Sequence, residues 1–351
     1  MDHQINTDNK IYIPLGRATQ ILLITIGMIV TLYYGSSILL PLTVGILIAI
    51  LLNSPMKKFQ DWGLPKWASI SLSVFLMILI FLVISGVFTW QVDNIAGDWN
   101  EIQQKGSQKM EKLNHWSEST LGFNFVHYIS TSSGVTDRLK SFGMAMLSSL
   151  SIIMSQSLVI LIYIILFLMQ KKTFLNFLNK LVPDSQKKGM HQFQTGSHDI
   201  VFNYLTGKSK IMMILFAVYF LGFWLSGVPY AFFLALFAAL FSIIPYVGNF
   251  IGGGAAMLLA YIYSGWPAGL AVFVVVSGAQ LIENYLLTPW IIGDEMDLNP
   301  FATIFGVIAF GSIWGIVGAV IALPLIGVVK VFFANVKGLY PYAYLLNKKE
   351  D

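Results

Sequence analysis

From Ile211 to Ile282 the chain carries no Asp, Glu, Lys, Arg or His, and then Glu283 opens the stretch "ENYLLTPWIIGDEMDLNP". Helices that are apolar all round belong in the core of a large protein or in a membrane, and a chain this apolar cannot hide so much surface inside a soluble globule. The whole chain follows the same rule: 56% of its 351 residues are hydrophobic and 11% charged, against about 25% charged in soluble domains. A lipid bilayer is the solvent this composition suits. Small residues, including 30 glycines, are spread through the apolar runs as in packed membrane helices. The formal charge of +4 does not point to nucleic acid, since the lysines cluster between apolar spans, where basic residues set membrane orientation. With no cysteine, disulfides, thiolate catalysis and cysteine metal sites are excluded.

A bilayer core about 30 Å thick needs roughly 20 apolar helical residues. Spans are expected near 18–35, 37–53, 67–90, 146–170, 210–227 and 266–288. The first follows Lys10 and Arg17, but no small-x-small cleavage site comes after it, so it reads as an uncleaved span. Regions 230–264 and 301–334 are too long for one ordinary span and are broken by glycine and proline, which suggests re-entrant hairpins or helix pairs. The expected fold is therefore all-α and polytopic, with about eight transmembrane helices. Lys10 and Arg17, Lys57, Lys58 and Lys66, the lysines of 171–210, and Lys337, Lys348 and Lys349 fall on one side if each broken region begins and ends on the same side. Both termini are then cytoplasmic.

The expected division is a transmembrane scaffold over 1–90, an extracytoplasmic amphipathic insert over 91–145, a helix with a cytoplasmic amphipathic linker over 146–209, a transport unit over 210–338, and a cytoplasmic tail over 339–351. The insert mixes both charge signs with spaced apolar residues, as a solvated connector, a lid or an oligomer contact would. The linker reads as an interfacial stretch broken at Pro183. Its His191 and His198 are seven residues apart, which matches none of the short metal-ligand spacings.

Residues 210–334 divide into two units, each a span followed by a broken region, with the two broken regions opening from opposite faces. That is the layout of an inverted repeat whose discontinuous segments meet near the midplane around a substrate. In the first broken region, "IIPYVGNFIGGG" groups Pro245, Gly248, Gly252, Gly253 and Gly254. Irregular backbone at membrane depth must be covered by protein or line a wet cavity, so Tyr246 and Asn249 are candidate polar groups at a hairpin tip. A close-packed, kinked helix pair is the other reading. In the second region, Gly311, Ser312, Gly315, Gly318 and Pro324 repeat the device with less polarity, as a packing motif would.

At helical spacing, Ser277, Gln280, Glu283 or Asn284, and Thr288 form one polar stripe on an apolar span. An ionisable group inside a span costs about 2.5–3.5 kcal/mol on insertion scales and usually lines an ion, proton or substrate path. Glu283 is thus a candidate ion-binding or proton-exchanging group, or else a structural brace near a helix end. Asp294, Glu295 and Asp297 read as solvated loop acids. Asn299 before Pro300 reads as a helix N-cap.

These motifs, "GVPYAFFLALFAALFSIIPYVG", "ENYLLTPWIIGDEMDLNP" and "FGSIWGIVGAVIALPL", make the chain resemble the autoinducer-2 exporter family, also called PerM-like permeases. Glu283, Asn284, Tyr285, Pro289, Gly293, Leu298 and Pro300 fall on the family's pattern. The resemblance implies a multi-pass transporter of the bacterial inner membrane, homo-oligomeric, with some members linked to efflux of the quorum-sensing furanone and others to exchange of sodium or lithium for protons. The acids at 294–297 depart from relatives that carry basic or neutral residues there.

Export of a small polar solute is the leading expectation, and a monovalent-cation/proton antiporter using Glu283 the alternative. A structural membrane oligomer is a third. No G-x-x-x-x-G-K-[ST], HExxH or G-x-S-x-G motif is present, so neither ATP hydrolysis, nor an enzyme of those classes, nor any cofactor is expected.

Overall fold

A computed structural model describes residues 15–121, 135–245, 247–293 and 296–348. Helix α1 (Leu15–Tyr34) meets α2 (Ser36–Asp61) with Gly35 alone between them. Gly35 has φ −83° and ψ 5°, and its N–H still donates to Thr31 O at 2.9 Å, so the axis bends there without reversing. The spans expected at 18–35 and 37–53 are therefore two limbs of one bent helix. Helix connections that reverse use two or more residues, and "YYGSS" leaves one outside the helices. A true reversal follows at Trp62–Pro65, where Gly63 takes φ 92° and leads into α3 (Lys66–Gly97).

Asp98 repeats the device: at φ −87° and ψ 3° it bends α3 into α4 (Trp99–Leu121). Helix α5 (Val135–Lys180) returns along α2, so closely that a Cβ on Gly45 would stand 2.8 Å from Tyr163 Cβ. Ala49, Leu52 and Met56 of α2, Ile70 and Val74 of α3, and Ile164 and Leu168 of α5 close one apolar core. The chain then turns at Pro183 through a short 3-10 turn, Asp184–Gln186, into α6 (Lys187–Leu225). The break at Pro183 is where the sequence puts it, and 171–180 and 187–210 continue α5 and α6 as unbroken helix. Ending a helix at the edge of its apolar segment would strand four carbonyls. The two ladders instead run on, and Gln194 Nε2 donates across them to Asn179 Oδ1 at 3.1 Å.

Helix α6 is the spine of the C-terminal half, and its glycines mark its neighbours. A Cβ on Gly196 would meet Val331 at 3.2 Å, one on Gly207 would meet Ile292 at 2.8 Å, and Gly222 lies hard against Val275. The first broken region is a hairpin of α7 (Ala231–Phe241), a π-helical turn (Gly248–Gly253) and α8 (Gly254–Ser264). Its arms touch: a Cβ on Gly252 would lie 2.6 Å from Ala238 Cα. With 11 residues, α7 rises about 16 Å, half a bilayer core.

Helix α9 (Trp266–Ile282) crosses back antiparallel to α6, continues through a π-helical segment (Glu283–Leu287) and ends in α10 (Thr288–Ile291). The second broken region, α11 (Pro300–Asn335), is interrupted at Trp314 and at Gly315, whose φ of 64° and ψ of −150° only glycine adopts without strain. There the helix folds back on itself, bringing Gly306 against Ile326 and Gly318 against Phe310. Both broken regions are thus hairpins, and α9 with α10 separates their open ends. A short α12 (Tyr340–Leu346) closes the described chain.

Among the described residues, six helices are long and apolar enough to cross a membrane, and no strand is present beyond one isolated bridge. The protein is an all-α polytopic membrane protein. Its largest core gathers Ile211, Leu215, Tyr219 and Phe223 of α6 with Leu234, Ala235 and Ala238 of α7, Ala256 and Ala260 of α8, and Val272 and Ala279 of α9.

Candidate functional site

The first hairpin's π-helical turn carries Asn249 toward two other helices. Tyr219 of α6 donates its hydroxyl to Asn249 Oδ1, and Asn249 Nδ2 donates to Gln280 Oε1 of α9. Gln280 Nε2 then donates to Asn284 Oδ1 at 3.0 Å. The chain of groups runs from the fully buried Tyr219 to the exposed Asn284. Leaving such a buried amide unpaired would cost about 1–3 kcal/mol, so the network ties hairpin, α6 and α9 together. The glycines make the approach feasible: Gly248 and Gly252 lie against α7, and a Cβ on Gly253 would stand 2.6 Å from Val276 of α9. Pro245 is half-buried at the tip, where Ile243 O accepts from Tyr204 at 3.4 Å. Tyr246, also expected at the tip, lies outside the described residues.

Glu283 is not on that chain. Its carboxylate accepts from Lys208 Nζ of α6 at 2.6 Å, and both side chains are buried, at 8% and 10% exposure. In a low-dielectric setting, a carboxylate without its cation would face a desolvation penalty of several kcal/mol. The pair therefore explains how a carboxylate survives at the end of the uncharged run. Helix α6 comes this near because Gly207, next to Lys208, packs on Ile291 and Ile292.

The π-helical winding at Glu283–Leu287 turns Glu283 inward while Asn284 stays outward, so the single stripe read from the sequence divides in two. Gln280 and Asn284 share one face, and Glu283 faces α6. Thr288 is half-buried at the start of α10, where its carbonyl accepts from Ile292 N at 3.0 Å and Gly293 N at 3.1 Å; it is not a member of the amide chain. Sequence reading missed Lys208 and Tyr219. The signal for Lys208 was its place just before the run, in "TGKSK"; a tyrosine among phenylalanines offered none.

Of the loop acids, Asp294 and Glu295 lie outside the described residues. Asp297 is not a free loop acid: Lys330 Nζ binds its carboxylate at 2.9 Å and its carbonyl at 2.8 Å. Asn299 caps α11 as its position before Pro300 suggests, accepting from Ala302 N at 2.6 Å. It also donates to Leu345 O at 2.6 Å, which seats α12 on the mouth of the second hairpin. That hairpin's tip carries one exposed hydroxyl, Ser312, which donates back to Ile308 O of its own helix, and Trp314 Nε1 donates to Leu32 O of α1 at 2.9 Å.

At the open end of the first hairpin lies α4. Tyr230 donates to Asp98, and Lys105 stands 4.2 Å above the Tyr263 ring. Burial, then the bond to Asp98, pushes the Tyr230 hydroxyl above its ordinary pKa. The insert is thus bound to the hairpin it covers.

The model of the family described as AI-2E family transporter matches residues 22–338. YueF of Bacillus subtilis is 29% identical over 315 residues, covering 86% of this chain and 85% of that protein. PerM of Escherichia coli K12 is 25% identical over 329 residues, with 89% and 91% covered. YrrI of Bacillus subtilis is 32% identical over 155 residues, 44% of each chain. The names of YueF and YrrI propose transport proteins, and that of PerM a permease.

Proposed function

The chain belongs to the AI-2E transporter family, and on that premise we propose that this membrane transporter exports a small polar solute of the autoinducer-2 kind across the bacterial inner membrane. The observation that carries the reading is the Tyr219–Asn249–Gln280–Asn284 chain, a run of hydroxyl and amide groups that passes from the buried Tyr219 to the exposed Asn284. Such groups satisfy one another when the site is empty and can exchange those bonds for a solute rich in hydroxyls. In this reading the hairpins with α6 and α9 form the moving unit, and the helices of 1–90 the scaffold, with the C-terminal tail cytoplasmic and copies assembled as a homo-oligomer. Uptake into inverted membrane vesicles tests it. Autoinducer-2 should accumulate with wild-type protein and at least about tenfold more slowly with Gln280→Ala, the effect of losing roughly 1.4 kcal/mol. Equal rates would remove the amide chain from the solute path.

The buried Lys208–Glu283 pair favours a second reading, Na⁺ or Li⁺ exchange for protons at Glu283. Glu283 can trade that partner for a metal ion or a proton without adding net charge to the bundle only if the Lys208 ammonium moves out to solvent or gives up its proton in the same step. Glu283→Gln should then abolish Na⁺- or Li⁺-driven pH gradients in proteoliposomes, and intact exchange would rule this mechanism out.

A further inference from the structure

Lys208 and Lys210 stand two positions apart on α6 and so point to opposite sides of it. Lys208 turns inward to Glu283, whereas Lys210 is exposed and has no carboxylate partner among the described residues. Lys210 heads a groove of about 800 Å³, walled by Met213, Ile214, Ala217 and Leu221 of α6 and by Trp290 and Ile291 of α10. The α6 residues recur at steps of three and four, one continuous face about 16 Å long from Lys210 to Leu221. Past Lys210 the wall is apolar throughout, and Trp290 is 81% exposed beside the cationic end. An indole with a lysine is the side-chain pairing found at membrane–water boundaries, where ring and stem sit in hydrocarbon and the polar ends reach headgroups.

We propose that this groove binds an anionic phospholipid, with its phosphate on Lys210 and one acyl chain along Met213, Ala217 and Leu221. A second copy laid along its own uncharged stretch fits less well. From Ile211 to Ile282 that stretch has no carboxylate to offer Lys210, whereas a phosphate supplies that charge at the depth where the apolar wall begins. The site abuts Gly207 and Ile291, the contact that brings Lys208 to Glu283, so the lipid braces the back of the buried pair.

The test is native mass spectrometry of the full-length protein released from detergent with phosphatidylglycerol or phosphatidylcholine. The wild type should hold phosphatidylglycerol about fivefold more tightly, the effect of one basic side chain near an anionic headgroup. Lys210→Gln should erase the preference and Lys210→Arg keep it. Ala217→Trp, which fills the exposed groove, should weaken both lipids. Inorganic phosphate alone should not displace the lipid. Equal binding of the two lipids by wild type, an undiminished preference in Lys210→Gln, or displacement by free phosphate would each overturn the proposal. So would a disulfide between copies carrying Leu221→Cys that forms in phosphatidylglycerol vesicles, because a second chain would then occupy the groove.

Discussion

The two hairpins share a plan and differ in what their tips hold. The first, α7 to α8, places Asn249 of its π-helical turn among Tyr219 and Gln280, and its carbonyl at Ile243 accepts from Tyr204. The second, α11, turns at Trp314 and Gly315 and makes one polar contact with α1, from the Trp314 indole to Leu32 O. Its mouth is fastened as well, by Lys330 on Asp297 and by α12 on Asn299. One hairpin ends in groups that can exchange hydrogen bonds; the other ends in an anchor. Similar glycine-rich interruptions in an apolar sequence thus serve two physical ends, and polarity at the tip distinguishes them.

The most severe way to disturb the first hairpin's surroundings is to strip Glu283 of its cation. Lys208→Ala should lower stability by about 3–5 kcal/mol through an uncompensated buried charge, seen as a large fall in the melting temperature in detergent. Replacing both partners, Lys208→Met with Glu283→Met, should restore most of it. A single variant as stable as wild type would mean water reaches Glu283.

A matched pair of substitutions compares the tips directly. Asn249→Ala and Trp314→Phe each remove a hydrogen-bonding group and leave its partner unpaired, and each should cost about 1–3 kcal/mol in thermal unfolding. Their transport should differ: Asn249→Ala abolishing solute uptake into inverted vesicles, Trp314→Phe leaving the rate within about twofold, a difference under 0.5 kcal/mol. Equal losses would erase the distinction between solute-facing and anchoring hairpins. The smallest effect belongs to the second hairpin's mouth. Asn299→Ala removes the cap of α11 and should cost about 1 kcal/mol, with faster amide exchange in Tyr340–Leu346 once the bond to Leu345 O is lost.

Much of the fold was readable because hydropathy and glycine or proline act locally. The apolar runs marked the helices, Pro183 marked the turn between α5 and α6, and the residues before Pro300 marked a capped helix start. Gly35 and Asp98 were not readable as bends. Whether a residue between two apolar helices reverses the chain or merely deflects it depends on dihedrals that its identity does not dictate. The candidate residues fared likewise. Asn249, Gln280 and Asn284 stood out as polar groups in apolar segments, but their joining through Tyr219 required the crossing of α6 with the hairpin and α9.

Composition and residue order alone therefore determined that the chain is a helical membrane protein, that 230–264 and 301–334 are broken and that the chain turns at Pro183, and that Glu283 needed an explanation. Burial energetics are summed over whole segments, so no partner need be known to draw those conclusions. The pairing of Glu283 with Lys208, 75 positions away in sequence, was a matter of three-dimensional packing. It rests on the π-helical turn at Glu283–Leu287, which rotates one carboxylate toward α6, and on Gly207, whose missing side chain lets the two helices approach.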